Sequence, residues 1–147
     1  MDAASVLAAS PVFSQLGEAA RSELATAATR LEIASGRRLY GEGEESTHLY
    51  VVASGRLRVE SAARLLGYVS RGEPVGEIGV LTGERRISEV RARRDSVLHA
   101  IARGPFLAVC ERHPAVLLEL TRLLIARLRQ YQKNAPHITS PMLHKAR

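Results

Sequence analysis

The chain has 147 residues, of which 46% are hydrophobic and 24% are charged, a composition typical of a soluble globular domain. No apolar run approaches the roughly 18 residues of a transmembrane segment, and the N-terminus lacks the basic region of a secretory signal. A single cysteine, Cys110, excludes an internal disulfide, so we expect a reducing, cytoplasmic setting.

The net charge of +6 is concentrated in the C-terminal part of the chain. Residues 91–147 contain 11 Lys or Arg against 3 Asp or Glu. Such an excess is compatible with a nucleic-acid or anionic membrane partner. Because the arginines are dispersed and few aromatic residues lie between them, we expect no direct binding of nucleic acid.

The first predicted element is an alanine-rich helical segment over residues 2–29, interrupted at Pro11. From residue 30 to 104, seven short strand-like segments recur with glycine between them: LEIAS, RRLY, HLYVVAS, RLRVE, LLGYVS, ISEVRAR and SVLHAIA. Leu57 and Val59 alternate with charged residues in RLRVE, which is typical of a half-buried antiparallel strand. The turn at residues 54–55 predicts a tight hairpin with the strand before it.

Two helices are predicted after the strands, a short one from Pro105 and a longer one from Pro114 to Gln132. One face of the longer helix carries Leu117, Leu120, Leu124, Leu128 and Tyr131. We expect this face to pack on the strands, and a homodimer through the same helix is the alternative. Residues 133–147, with two prolines and no periodicity, predict a linker or disordered tail.

These elements predict one domain, residues 1–132, of a mainly β class with flanking helices. Its order is an N-terminal helix at residues 2–29, a barrel-like β-roll at 30–104 and C-terminal helices at 105–132.

Catalytic and metal-binding patterns are missing from the sequence. It has no G-x-S-x-G, G-x-x-x-x-G-K-[ST] or H-E-x-x-H motif. His48 and His99 fall in predicted strands without a second ligand at metal-site spacing, so we expect structural roles. Cys110 lies in an apolar helical run and is predicted to be a core residue, and GEGEES (residues 41–46) a solvated turn. We therefore expect a non-catalytic chain without metal or cofactor.

The segment GEIGVLTGERRISEV, residues 76–90, is the strongest candidate for a site. A glycine before a short helix presents free backbone N–H groups, which favour an anion. Arg86 supplies a fork of donors suited to two phosphate oxygens, and Glu77 can accept a hydrogen bond from a sugar hydroxyl. The pair therefore predicts a ligand that carries both an anion and hydroxyl groups.

The same segment resembles the phosphate-binding cassette of the cyclic nucleotide-binding domain. This domain is the jelly-roll-like regulatory β-roll of cyclic-AMP-dependent kinases, nucleotide-gated channels and catabolite-activator-type transcription factors. The supporting glycines at positions 36, 43, 55 and 72 fall in register, and the resemblance extends over about residues 11–130. Residues 93–130 also resemble the modules fused to patatin-like lipid esterases of the neuropathy-target-esterase type.

The resemblance implies a cyclic nucleotide ligand, with Glu77 on the ribose 2′-OH, Arg86 on the cyclic phosphate and the last long helix as a mobile lid. The implied ligand-binding residues are Gly76, Glu77, Ile78, Gly79, Arg86, Ile87 and Ser88. The lack of a hydroxyl directly after Arg86 favours cyclic AMP over cyclic GMP.

This sequence departs from the family pattern at two positions near the cassette. Arg85 replaces a frequent proline, and Glu89 adds a negative charge near the predicted anion unless strand alternation turns it outward. The alternative is a degenerate module without nucleotide binding, acting as a regulatory or interaction domain. In either case we expect a fused effector domain, an esterase or a transcription regulator.

Overall fold

The structure is a computed structural model that describes residues 1–134, so the predicted tail at 135–147 lies outside the described residues. The helical elements are α1 (Ala3–Ala8), the 3₁₀ helix η1 (Phe13–Gln15), α2 (Glu18–Ala27), α3 (Glu77–Thr82), α4 (Arg103–Arg112) and α5 (Ala115–Asn134). The strands are β1 (Ala28–Ile33), β2 (Arg38–Tyr40), β3 (His48–Ser54), β4 (Leu57–Ser61), β5 (Arg64–Val69), β6 (Pro74–Val75), β7 (Glu89–Ala92) and β8 (Ser96–Ala102).

Two four-stranded sheets form the β-roll, in the orders β1-β8-β3-β6 and β2-β7-β4-β5, and the pairings within both are antiparallel. Alternate residues of the two sheets meet in a core that includes Val52, Leu57, Val59, Val90 and Leu98. The mainly-β class with flanking helices, predicted from the alternating segments, is confirmed.

A second core lies between the first sheet and the helices. Its largest fully buried side chains include Phe13, Leu24, Leu49, Phe106 and Leu120. Burial of each such side chain contributes roughly 1.5–3 kcal/mol to folding. The helices before and after the roll therefore share one core with it.

The seven predicted strand segments all correspond to strands, but the expected hairpin at residues 54–55 is wrong. β3 pairs with β8 and β6, whereas β4 pairs with β5 and β7, so the turn crosses from one sheet to the other. Gly55 adopts φ +94°, and a Cβ there would lie 2.1 Å from the Ser96 hydroxyl. β3 is buried along most of its length. It therefore lies inside its sheet, between β8 and β6, and does not pair with β4. The two-residue strand β6 is not among the seven segments.

A different turn forms the hairpin between β4 and β5. Ala62 and Ala63 adopt φ values of 51° and 63°, a left-handed backbone that L-residues with a Cβ rarely adopt. Ser61 pairs with Arg64 across this turn. The connection between β4 and β5 is therefore a two-residue turn.

The face of α5 that packs on the domain overlaps the predicted one at Leu120, Leu124 and Tyr131 but is displaced away from Leu117. Val116 and Leu120 are fully buried, and Leu123 and Tyr131 pack against the two cores. The exposed apolar residues of this helix are Leu117, Leu118, Ile125 and Leu128. Residues 133 and 134, predicted as linker, still belong to the helix. A homodimer through this helix stays a prediction that the described residues do not support.

Candidate functional site

The cassette at residues 76–90 is a tight connection between β6 and β7. Gly76 starts it at φ +87°, and a Cβ there would lie 2.6 Å from Nη1 of Arg86. Gly79, one turn into α3, packs so closely that a Cβ would lie 1.9 Å from the Ser46 hydroxyl. Gly83 then ends α3 at φ +77°. The glycines thus bring α3 against β3 and the turn before it.

Arg86 is buried, with 6% of its surface exposed. Its Nη1 donates to the carbonyl of Gly76 at 3.1 Å and its Nη2 to that of His48 at 2.7 Å. The guanidinium stands 4.0 Å from the ring centroid of Tyr40, a cation–π arrangement. Nε is buried and has no hydrogen-bond partner among the described residues.

The backbone of Arg86 is fixed by the acidic turn at residues 41–46. Its N–H donates to the carbonyl of Glu44 at 2.9 Å, and its carbonyl accepts from the N–H of Gly43 at 2.8 Å. The turn predicted to be merely solvated therefore also positions the central arginine of the cassette.

Glu77 forms a buried ion pair with Arg127 of α5. The Nη1–Oε1 distance is 2.8 Å, and the side chains are 5% (Glu77) and 11% (Arg127) exposed. The other oxygen, Oε2, and the other terminal nitrogen of Arg127, Nη2, are buried without a partner within residues 1–134. The ion pair joins the start of the cassette to the helix that covers it.

A cavity of about 170 Å³ lies between the cassette and α5. Its lining residues are Tyr40, Val59, Leu66, Val75, Gly76, Glu77, Ile78, Gly79, Arg86, Ile87, Ser88, Leu124, Arg127, Leu128 and Tyr131. The charged side chains among them are one carboxylate and two guanidinium groups, so this lining carries one positive charge in excess. One end is polar, at Glu77 and Arg86, and α5 supplies leucines and a tyrosine at the other side.

All seven residues predicted to bind ligand line this cavity: Gly76, Glu77, Ile78, Gly79, Arg86, Ile87 and Ser88. Their roles toward a ligand stay a prediction. The two unusual residues point away. Arg85 is exposed and donates to the carbonyl of Gly43 at 3.0 Å, and Glu89 pairs with Arg91 at 2.8 Å. Strand alternation therefore keeps the Glu89 charge outside the cavity.

Two tyrosines complete the cavity wall. Burial raises the pKa of Tyr40 far above its ordinary value, although the Arg86 charge opposes this rise. Burial also raises the pKa of Tyr131. Both phenols therefore stay neutral near neutral pH and add hydrogen-bonding groups without adding charge.

Arg127 is the main residue of the cavity that the sequence reasoning missed. The predicted face of the long helix, Leu117, Leu120, Leu124, Leu128 and Tyr131, does not include it. The inward stripe in the structure is Val116, Leu120, Leu123, Arg127 and Tyr131, at helical spacings of four and three residues. An arginine at such an inward position is the signal that could have identified it.

The other candidates from the sequence have structural roles. Cys110 is buried, and burial raises the pKa of its thiol to about 11, so it is a poor nucleophile. His99 is buried beside the carbonyl of Met1, and the His48 ring stacks on Tyr50. Across residues 1–134, no three His, Cys, Asp or Glu side chains converge into a metal site.

The two packed sheets, the glycine-framed cassette and the covering helix define a regulatory β-roll of the cyclic nucleotide-binding class. The profile of the family "Cyclic nucleotide-binding domain" matches residues 30–113. The chain belongs to this family, whose domain is regulatory rather than catalytic.

Among solved structures, the fold matches cAMP-bound PfPKA-R with a TM-score of 0.80 at 15% identity, over 88% of this chain and 45% of that chain. It also matches the Thermus thermophilus catabolite activator protein with a TM-score of 0.74 at 28% identity, over 88% of this chain and 63% of that chain.

Two relatives with similar sequence carry phospholipase names. "Lysophospholipase nte1" of Neosartorya fischeri is 33% identical over 67% of this chain and 7% of its own length. "Patatin-like phospholipase domain-containing protein 7" of Rattus norvegicus is 36% identical over 64% of this chain and 7% of its own length. The chain therefore spans a small part of the relatives it matches. Within the described part of the chain, no helix is long and apolar enough to cross a membrane.

Proposed function

We propose that this chain binds a cyclic nucleotide, with cyclic AMP favoured, and acts as a regulatory domain. The observation that carries the proposal is the buried Arg86, which has no carboxylate partner among the described residues, while the nearby Glu77 pairs with Arg127. A buried cation without a counter-charge is costly. An anionic ligand in the cavity supplies that charge.

The unpaired polar atoms support a specific placement of the ligand's groups. Nε of Arg86 suits a cyclic phosphate oxygen, and Oε2 of Glu77 suits a ribose hydroxyl. Leu66, Leu124 and Tyr131 offer an apolar wall to a flat base. Ile87 follows Arg86 and brings no side-chain hydroxyl, which favours cyclic AMP over cyclic GMP.

Helix α5 acts as the lid of this site. The cavity of about 170 Å³ is smaller than the roughly 300–1,000 Å³ common for ligand pockets, so α5 shifts outward to admit a nucleotide. The ligand hydroxyl then competes with Arg127 for Glu77. Because α5 contacts the ligand differently in its two positions, binding biases the position of the helix.

The test is calorimetric titration with cyclic AMP and cyclic GMP. Arg86→Ala should weaken binding by roughly 2–5 kcal/mol, the usual loss when one partner of a buried charge pair is removed. Arg86→Lys keeps the charge but loses the free Nε donor and the fork that bonds the Gly76 and His48 carbonyls, so it should bind with intermediate affinity. Arg85→Ala is the matched control, because the adjacent arginine is exposed and points away from the cavity.

The proposal fails if the wild-type chain binds neither nucleotide at millimolar concentration. It also fails if Arg85→Ala weakens binding as much as Arg86→Ala does. Circular dichroism of each variant separates loss of binding from loss of folding.

A domain that has lost nucleotide binding is the second candidate. It is favoured by the bonds already present, since both terminal nitrogens of Arg86 meet backbone carbonyls and Glu77 meets Arg127. In that case the role of Arg86 is structural, since its hydrogen bonds join β3 to the cassette. Arg86→Ala would then lower the melting temperature, and neither nucleotide would raise it in the wild type.

We propose that the domain regulates a fused effector domain. The named relatives suggest that this effector is a patatin-like lipid esterase. A transcription regulator is the alternative, given the likeness to the catabolite activator protein. The coding sequence around this chain distinguishes them, since a G-x-S-x-G motif indicates the esterase and a helix-turn-helix the regulator. A cytoplasmic location stays a prediction.

A further inference from the structure

One end of the β-roll is strongly basic. The turns at residues 34–37, 55–56, 70–73 and 93–95 all lie at this end, because β1, β3, β5 and β7 end there and β2, β4, β6 and β8 begin there. These turns carry five arginines, Arg37, Arg56, Arg71, Arg93 and Arg94, against two carboxylates, Asp95 and Glu73. We call these four turns the basic end.

Hydrogen bonds hold the basic end together. The N–H of Arg93 donates to the carbonyl of Arg56 at 2.8 Å, and the N–H of Ala92 donates to that of Arg37 at 2.9 Å. The carboxylate of Asp95 accepts from the N–H of Ser35 at 2.8 Å, within the same end. The arginines are therefore presented by a fixed framework.

The five arginines of the basic end make no ion pair within the described part of the chain, in contrast to Arg38, Arg58 and Arg91 on the neighbouring strands. Arg37, Arg71, Arg93 and Arg94 are also exposed. At the opposite end of the roll, the turn at residues 41–47 and the cassette carry six glutamates, at positions 42, 44, 45, 77, 84 and 89, against two arginines, Arg85 and Arg86. Charge is thus separated between the two ends.

We propose that the basic end docks on an anionic phospholipid surface. Arginines without ion pairs at one end of a rigid framework complement a negatively charged lipid surface. Binding to such a surface needs no groove in the protein and no fixed spacing between the charges. A nucleic acid fits less well. The turns present no helix or ribbon for a groove, and the ring of Tyr68 is covered by Arg56, whose guanidinium carbon lies 4.1 Å from its centroid. Docking leaves the cassette, at the other end, accessible.

The test is co-sedimentation of the full chain with phosphatidylcholine vesicles that contain ~30% phosphatidylserine or none. The wild-type chain should bind the anionic vesicles, and its affinity for them should fall as the salt concentration increases. The triple variant Arg37→Gln/Arg93→Gln/Arg94→Gln should bind about 100-fold more weakly, since each basic group near the surface contributes roughly fivefold. No nucleotide is present, so this result is independent of the cassette.

The matched control replaces three exposed arginines elsewhere, as Arg85→Gln/Arg122→Gln/Arg129→Gln, with the same change in net charge. Retained binding by this control supports the proposal. Equal weakening of both variants means that binding follows total charge, and the proposal is then wrong. Failure of the wild type to prefer anionic vesicles also overturns it. So does binding to a DNA duplex or single-stranded RNA that depends on the basic end in place of vesicle binding.

Discussion

The ion pair between Glu77 and Arg127 gives the sharpest stability prediction. Replacing Arg127 with Met keeps most of the side-chain length but leaves the carboxylate of Glu77 buried, with 5% of its side chain exposed. Removing one partner of a buried pair usually costs about 3–5 kcal/mol. We therefore expect Arg127→Met to lower the free energy of unfolding by an amount in this range.

Urea unfolding of Arg127→Met at about pH 7 measures this loss. The control Arg122→Met breaks a surface pair with Glu119 and should cost no more than about 0.5 kcal/mol. The double variant Glu77→Gln/Arg127→Met removes both charges of the buried pair and should recover most of the stability. A loss no larger than that of the control, or a double variant as unstable as Arg127→Met, would refute the reasoning.

Three further predictions concern the framework. Ala63→Gly should stabilise the chain by about 1 kcal/mol in thermal melts, because φ at this residue is 63°; an unchanged melting temperature would contradict the turn. Gly79→Ala should cost about 1–3 kcal/mol through its clash with Ser46, whereas Gly104→Ala, with nothing within 4 Å of the added carbon, should be neutral or stabilising. Cys110 should resist a thiol reagent at about pH 8 until urea unfolds the chain, because its thiol pKa is about 11; labelling of the folded chain would count against its burial.

The fold could be predicted largely from local patterns. Alternation such as that of Leu57 and Val59 identifies strands, and glycines identify the turns between them. What these patterns do not contain is the partner of each strand. The turn at Gly55 has the residues of a hairpin, yet its flanking strands belong to different sheets, because pairing depends on which neighbours bury β3.

The candidate site was predictable where its residues are close in sequence. Glu77 and Arg86 lie nine positions apart, and their chemical types indicate a ligand with a hydroxyl and an anion. Arg127 lies 50 positions from Glu77, so its contribution depends on how α5 is rotated on the roll. The observed face shares Leu120, Leu124 and Tyr131 with the predicted one and is displaced toward Val116 and Leu123. That displacement places Arg127 among the residues that line the cavity.

The cost of this cavity bears on the choice between a sensor and a packing module. Three buried polar atoms, on Glu77, Arg86 and Arg127, have no partner among the described residues. Each such atom costs about 1–3 kcal/mol, and apolar residues of similar shape would usually fill the same space with greater stability. A packing module gains nothing from this cost. Under the proposed function, a ligand that carries a hydroxyl and a phosphate would pair with the free atoms of Glu77 and Arg86, and part of the energy withheld from folding would then become available for affinity.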